Sequence, residues 1–163
     1  RPGQQILQKK MTVEQAIAMA GGIGPDGLYG KVFLRRVLDG AENYVEFEID
    51  LDKNDASKQD GDMLVEPDDI IRVDHNDLFS VFGEVNRPGE FVLRKNMTVL
   101  NALSTAGGLN KWGSSNRVKV LRSKDELESS IITIDVESII KGDTTANIKL
   151  LPGDTLIVEP GLF

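Results

Sequence analysis

Several side chains in this chain are of types that do chemistry. Carboxylates occur in close pairs, Asp68-Asp69 and Glu126 with Glu128. Paired acids hydrolyse glycosides when they face each other across a cleft. Nothing in the spacing sets either pair across a cleft, so turn and surface roles are expected. His75 is the single histidine and lies near Asp74 and Asp77. One imidazole among exposed acids is ordinarily solvated surface, not a metal site. The run Asp50-Leu51-Asp52-Lys53-Asn54-Asp55 has the spaced oxygens of a calcium loop. It lacks the glycine and the distal glutamate that such a loop needs. The double glycines, Gly21-Gly22 and Gly107-Gly108, follow apolar helical runs, whereas a phosphate-cradling glycine loop precedes a helix. There is no cysteine, which removes disulfides, thiolate nucleophiles and thiolate metal ligands. No catalytic residue, cofactor or metal is expected.

Contact chemistry is the stronger signal. Trp112 stands in a polar loop, Asn110-Lys111-Trp112-Gly113-Ser114-Ser115-Asn116, where burial is not assured. Aromatic rings stack on sugar faces and also anchor interfaces. Core or local packing, a subunit or domain interface and glycan contact are the three roles open to Trp112, and to Tyr29 in the matching loop. Arg87 has two: a turn residue or a polymer contact. The formal charge is −7, from 26 acidic and 19 basic side chains. That balance argues against nucleic acid, which requires a basic footprint. It would also discourage the sticking of anionic polymers. No run approaches 18 consecutive apolar residues, so no helix of this sequence is expected to span a membrane.

The elements that position these groups come in two copies. Arg1-Pro2-Gly3, Met11-Thr12-Val13 and Ala20-Gly21-Gly22 return as Arg87-Pro88-Gly89, Met97-Thr98-Val99 and Ala106-Gly107-Gly108, each 86 residues on. Fifteen positions of 1–36 are identical in 87–122 without a gap. Three tripeptides in one register mark an internal repeat of a small domain.

The second copy is expected to open with a strand at 79–85 and a turn at Asn86-Arg87-Pro88-Gly89, with a returning strand at 90–93. Pro88 presets its own φ and Gly89 accepts a positive one, as Pro2 and Gly3 do in the first copy. Thr98 then caps a helix with Val99, Ala102, Leu103 and Ala106 on its apolar face, and Gly107-Gly108 ends it. In the first copy Thr12 with Gln15 makes a capping box, a stronger cap than Thr98. Val13, Ala16, Ile17 and Ala20 form that face, and Gly21-Gly22 stops the helix. Strands follow at 31–36 and 117–122, then at 44–49 and 131–136. A polar stretch and a closing phrase complete each copy, Leu64–Val73 in one and Leu150–Val158 in the other. In both, a Pro-Asp or Pro-Gly turn launches the last strand.

Mostly antiparallel strands carrying one short helix make a two-layer α+β unit. The order suits a β-grasp-like fold, with domains at 1–75 and 76–163. The first copy has no counterpart of the strand at 79–85. It is expected to be a domain whose first strand lies outside this stretch, leaving an edge for another segment or chain to fill.

The residues Val81-Phe82-Gly83-Glu84-Val85-Asn86-Arg87-Pro88-Gly89, Met97–Ala102 and Ala106-Gly107-Gly108 resemble the SLBB (soluble ligand-binding β-grasp) domain. The tandem setting resembles the bacterial outer-membrane polysaccharide export proteins of capsule and exopolysaccharide secretion. That resemblance implies a lipid-anchored, ring-forming homo-oligomer with the polysaccharide passing through its centre. It implies a periplasmic, outer-membrane-associated location and an inner-membrane polysaccharide co-polymerase as partner. This stretch would be the periplasmic SLBB portion, without anchor or amphipathic helix. Two other classes stay open: a binding module for a soluble ligand or glycan, and an accessory domain of an enzyme or redox complex.

Overall fold

The computed structural model describes residues 1–40, 42–52 and 60–162. The chain forms two compact units, 1–76 and 77–163. Asn76 bonds back into the first unit. Its amide donates to the Asp26 carbonyl at 2.7 Å, its side-chain amide donates to the Pro25 carbonyl at 2.9 Å, and its Oδ1 accepts from the Tyr29 amide at 2.8 Å.

In the second unit, strands β4 (Leu78–Gly83) and β5 (Gly89–Val92) form the expected hairpin around the Arg87-Pro88 turn. Helix α2 (Val99–Thr105) follows, then β6 (Gly113–Ser123), β7 (Ser129–Ile134), α3 (Val136–Ile140) and β8 (Thr155–Pro160). The sheet order is β5-β4-β8-β6-β7. All its pairings are antiparallel except β4 with β8. The alternation of apolar and polar residues sends Phe79, Val81, Val118, Val120, Leu156 and Val158 inward against Val99, Ala102, Leu103 and Ala106 of α2 and its cap. Burying a side chain such as Phe79, 1% exposed, contributes about 1.5–3 kcal/mol.

Two sequence expectations need correction here. Thr98 also makes a capping box, since Asn101 at the third helical position reaches back to the Thr98 amide. The strand expected to run to Val136 stops at Ile134. Asp135 accepts from the Ser138 amide and caps α3, a second helix in this unit, which buries Val136 and Ile139. The β-branched run before it masked that short helical spacing.

The first unit contains α1 (Val13–Met19), β1 (Val32–Val37), β2 (Tyr44–Ile49) and β3 (Ile70–Val73). Its sheet is β2-β1-β3, antiparallel throughout. The Thr12–Gln15 capping box is formed as expected. Both α1 and α2 end alike. Gly22 and Gly108 donate to Ile17 and Leu103, and Gly21 and Gly107 donate to Ala18 and Ser104, all at 2.8–3.0 Å. This paired reach-back satisfies carbonyls the helix leaves open, and it requires the positive φ that Gly21 and Gly107 adopt. Among the described residues of unit 1, only Val13, Val32, Leu34 and Ile49 make the fully buried cluster.

One polar clasp occurs in both units. Asp154, 1% exposed, accepts from Arg122 Nε at 3.1 Å, from an Arg122 terminal nitrogen at 2.8 Å and from the Leu151 amide at 2.8 Å. The same Arg122 nitrogen donates to the Lys149 carbonyl at 3.0 Å. In unit 1, Asp69 takes Arg36 at 3.0 and 2.8 Å and the Glu66 amide at 2.8 Å, while Arg36 donates to the Leu64 carbonyl at 3.0 Å. Each bidentate pair ties a central strand to the turn that launches the closing strand. Matching Leu64 to Lys149 places the closing phrases in an 85-residue register, one residue from the alignment of Leu64 with Leu150. The surface role expected for Asp69 is therefore overturned: its side chain is 0% exposed.

Removing the arginine would strand a buried carboxylate. Arg122→Ala should destabilise unit 2 by about 3–5 kcal/mol, and the double change Arg122→Met with Asp154→Leu should recover most of that. Urea unfolding midpoints of the three proteins check this; an Arg122→Ala midpoint equal to wild type would refute it.

Candidate functional site

The signature residues of the second copy assemble into one junction, where the β4–β5 turn meets the end of α2. Gly83 has φ of +88°, and a Cβ there would lie 2.2 Å from the Val158 carbonyl oxygen. Only glycine lets β4 leave the sheet at this point. The next residue, Glu84, donates its amide to Val158 at 2.9 Å, accepts from the Asn110 amide at 3.0 Å, and takes the Asn110 side-chain amide on its carboxylate at 2.8 Å. Val85 bridges Leu109. The Asn86 amide donates to Gly108 at 3.1 Å, and its side chain donates to Gly107 at 2.7 Å. Arg87 donates its amide to Ala106 at 2.8 Å and its guanidinium to Thr105 at 3.0 Å.

This arrangement decides several roles. Arg87 is an exposed side chain whose guanidinium caps the Thr105 carbonyl at the C-terminus of α2, where positive charge is favourable. Pro88 and Gly89 turn the hairpin, and Gly107-Gly108 close the helix against Asn86. The junction is a structural lock, and its signature residues are spent on holding the turn and the loop after α2 together. Asn110 was missed from the sequence, although an Asn following Ala-Gly-Gly-Leu after a helix is a recognisable loop signal.

The lock presents Trp112. Its amide donates to Asn110 Oδ1 at 2.8 Å, and its carbonyl accepts from Gly161 at 2.8 Å. The indole is 52% exposed with Lys111 Nζ 4.8 Å from the ring centroid, so core packing is not its role. Tyr29, in the matching loop of unit 1, is 45% exposed. Both rings stand on loops at the helix C-terminal end of their own unit. The remaining candidates are taken up locally: Asp68 occupies a turn at φ +68°, and Asp74 takes Arg72 Nε at 2.8 Å. Among the described residues no cluster of His, Asp or Glu is arranged to hold a metal. Part of the calcium-like run, from Lys53 to Asp55, lies outside the described residues.

The outward face of the unit 2 sheet is the other surface feature. Phe82 pairs with Ile157, and Leu121 with Ile131; Phe82 is 51% and Ile131 64% exposed. Among them Glu159 takes Lys119 at 2.5 Å and Arg117 at 3.0 Å. The hydrogen bond from Lys119 holds the Glu159 carboxyl below its ordinary value, against desolvation, and the charges of Lys119 and Arg117 add to it.

A carboxyl with a lowered folded-state pKa stabilises the fold above its unfolded value, and that contribution is lost as pH falls through the folded value. Glu159→Gln should therefore be less stable than wild type at pH 7, with the gap closing below pH 4.5, the ordinary value. Urea midpoints at neutral and acid pH measure the gap. A gap that stays constant would remove the ion pair as its cause.

Two family comparisons bear on this architecture. Residues 77–158 match a family model described as SLBB domain, and residues 1–46 match a second model of the same description. No curated protein matches the chain. With one match in each unit, this chain belongs to the SLBB domain family.

Proposed function

We propose that this chain is a non-catalytic, ring-forming periplasmic part of an outer-membrane polysaccharide export channel. The observation that carries the proposal is the tandem: two SLBB units joined without an intervening linker segment. SLBB domains are binding modules. Placing two in succession gives each copy of the chain two layers, and symmetric copies would close each layer into a ring. The outward sheet face of unit 2 supports this reading. Phe82, Ile157, Leu121 and Ile131 supply apolar contact, while Arg117, Lys119 and Glu159 supply a charged register. An interface of that kind combines an apolar centre with a polar rim. The polysaccharide would then be conducted by geometry, with the net negative charge discouraging adhesion of an anionic polymer. An inner-membrane co-polymerase would deliver it.

A second reading has its own observation. Trp112 offers a half-exposed indole on a hydrogen-bonded loop, the kind of platform on which a sugar face stacks. In that case the chain is a soluble ligand- or glycan-binding module.

Light scattering of the protein at its natural length in mild detergent separates the two. A closed multimer is expected, and Phe82→Glu with Ile131→Glu should reduce it to monomer without changing its circular dichroism. A monomer at every concentration would reject the ring. Trp112 is the only tryptophan of this 163-residue stretch, so a loss of the emission change in Trp112→Phe assigns polysaccharide binding to that ring. A saturable change in that monomer would establish the binding module instead.

A further inference from the structure

Unit 2 carries two complementary features at opposite edges of its sheet. One is the turn between β6 and β7. Asp125 Oδ1 accepts from the Leu127 and Glu128 amides at 2.9 and 2.8 Å, and the Glu128 carbonyl accepts from the Lys124 amide at 2.9 Å. Ser123 Oγ donates to the Asp125 carbonyl at 2.9 Å. This self-bonded tip holds out Leu127, which is 95% exposed, more than any other large apolar side chain among the described residues. Exposed Glu126 and Glu128 flank it.

The other feature is a groove of about 610 Å³, lined by β5, the loop after it and α2. Phe91 and Met97 give it apolar lining, and Ser104 and Thr105 line it from the helix. Arg94 and Lys95 stand exposed along it. Among the described lining residues none is acidic. Charge divides cleanly between the two features. Residues 124–128 hold three acids and one base, and residues 91–97 hold two bases and no acid.

Topology places them for contact between copies. Strands β5 and β7 are the two outer strands of the sheet. Ser80 of β4 and Leu121 of β6 both lie opposite Thr155. Two residues further along, Val92 lies opposite Leu78 and Ser123 lies opposite Ser129. The loop after β5 and the β6–β7 tip thus leave the sheet at the same end. The pairings also run β5 and β7 in opposite directions. Copies set edge to edge in one sense therefore bring β7 antiparallel to the neighbour's β5, a pairing whose main-chain bonds can form. Residues Ser129–Ile134 of β7 contain no charge, proline or glycine, the usual devices that keep an edge strand from pairing.

We propose that the partner of this groove is a second copy of the chain: the β6–β7 tip docks Leu127 against Phe91 and Met97 of the next copy, with Glu126 and Glu128 against its Arg94 and Lys95. The two surfaces differ, so the contact is head-to-tail and each copy keeps a free tip and a free groove for further neighbours. This deepens the ring reading and rests on it for closure.

The chain has no cysteine, so two introduced thiols report the contact. One copy carries Ser104→Cys in its groove and the other Ser129→Cys beside its tip, and a short bismaleimide joins them. The 104–129 link should predominate over 104–104 and 129–129. Arg94→Glu with Lys95→Glu on the groove copy should cut its yield at least about tenfold, since like charges brought together oppose docking. Glu126→Lys with Glu128→Lys on the tip copy should do the same. Pairing the reversed groove with the reversed tip should restore the link, which a folding defect in either variant would not allow. No 104–129 link, a yield indifferent to either reversal, or no recovery in the doubly reversed pair overturns the docking. The ring is judged separately by light scattering. A closed multimer without the link removes the docking and leaves the ring, and a link in pairs that never close removes the ring and leaves the docking.

Discussion

The buried guanidinium–carboxylate clasp is the constraint on which each unit depends. Asp154 sits where β8 begins, and β8 is the middle strand of its sheet. A carboxylate without solvent must be fully coordinated, and here three donors converge on it from Arg122 and Leu151. Two of those donors belong to β6 and the third to the turn before β8, so satisfying the charge also sets the register of β8 against β6. The clasp holds Arg122 above its already high ordinary value, chiefly through the hydrogen bond to Asp154. Arg36 is raised in the same way by Asp69. The chain uses the same solution in both copies, with the same third bond to the turn's own amide.

Around that clasp unit 2 has a second device, the lock between the Arg-Pro-Gly turn and the end of the helix. In unit 2 the lock joins hairpin, helix and the Trp112 loop. Gly83 is part of its geometry, because no side chain fits between β4 and the Val158 carbonyl as the strand departs. The residues that carry the family signature are thus mostly structural. Beyond them, the Trp112 ring and the apolar side chains Phe82 and Ile131 of the outward sheet face remain half or more exposed.

The sheet faces of the two units differ in character. In unit 1 the outward positions are dressed with cations over rings: Arg35 lies 3.6 Å from the Tyr44 centroid and Arg72 4.6 Å from that of Phe33. Arg72 also bonds Asp74 and Glu46. In unit 2 the outward face keeps paired apolar residues exposed. The two units thus carry different outward surfaces on one framework.

Local order was legible in the amino-acid sequence. The repeat, both capped helices, the glycine stops, the Arg-Pro-Gly hairpin turn and most strands follow from spacing within about ten residues, where propensity and alternation act directly. Helix α3 was not legible, because the β-branched run of Ile131 to Ile134 continues a strand pattern up to its cap at Asp135. Asp69 and Asp154 looked like ordinary turn acids. Their partners stand 33 and 32 residues away, and only the folded sheet brings them together. The same holds for the parallel pairing of β4 with β8 and for the exposure of Trp112. The sequence by itself determined the family, the two-copy organisation and the local grammar, since these rest on short-range chemistry. Tertiary structure alone decided which charges are buried and which strand lies at the centre of the unit 2 sheet, since each is settled by contacts between segments far apart in the chain.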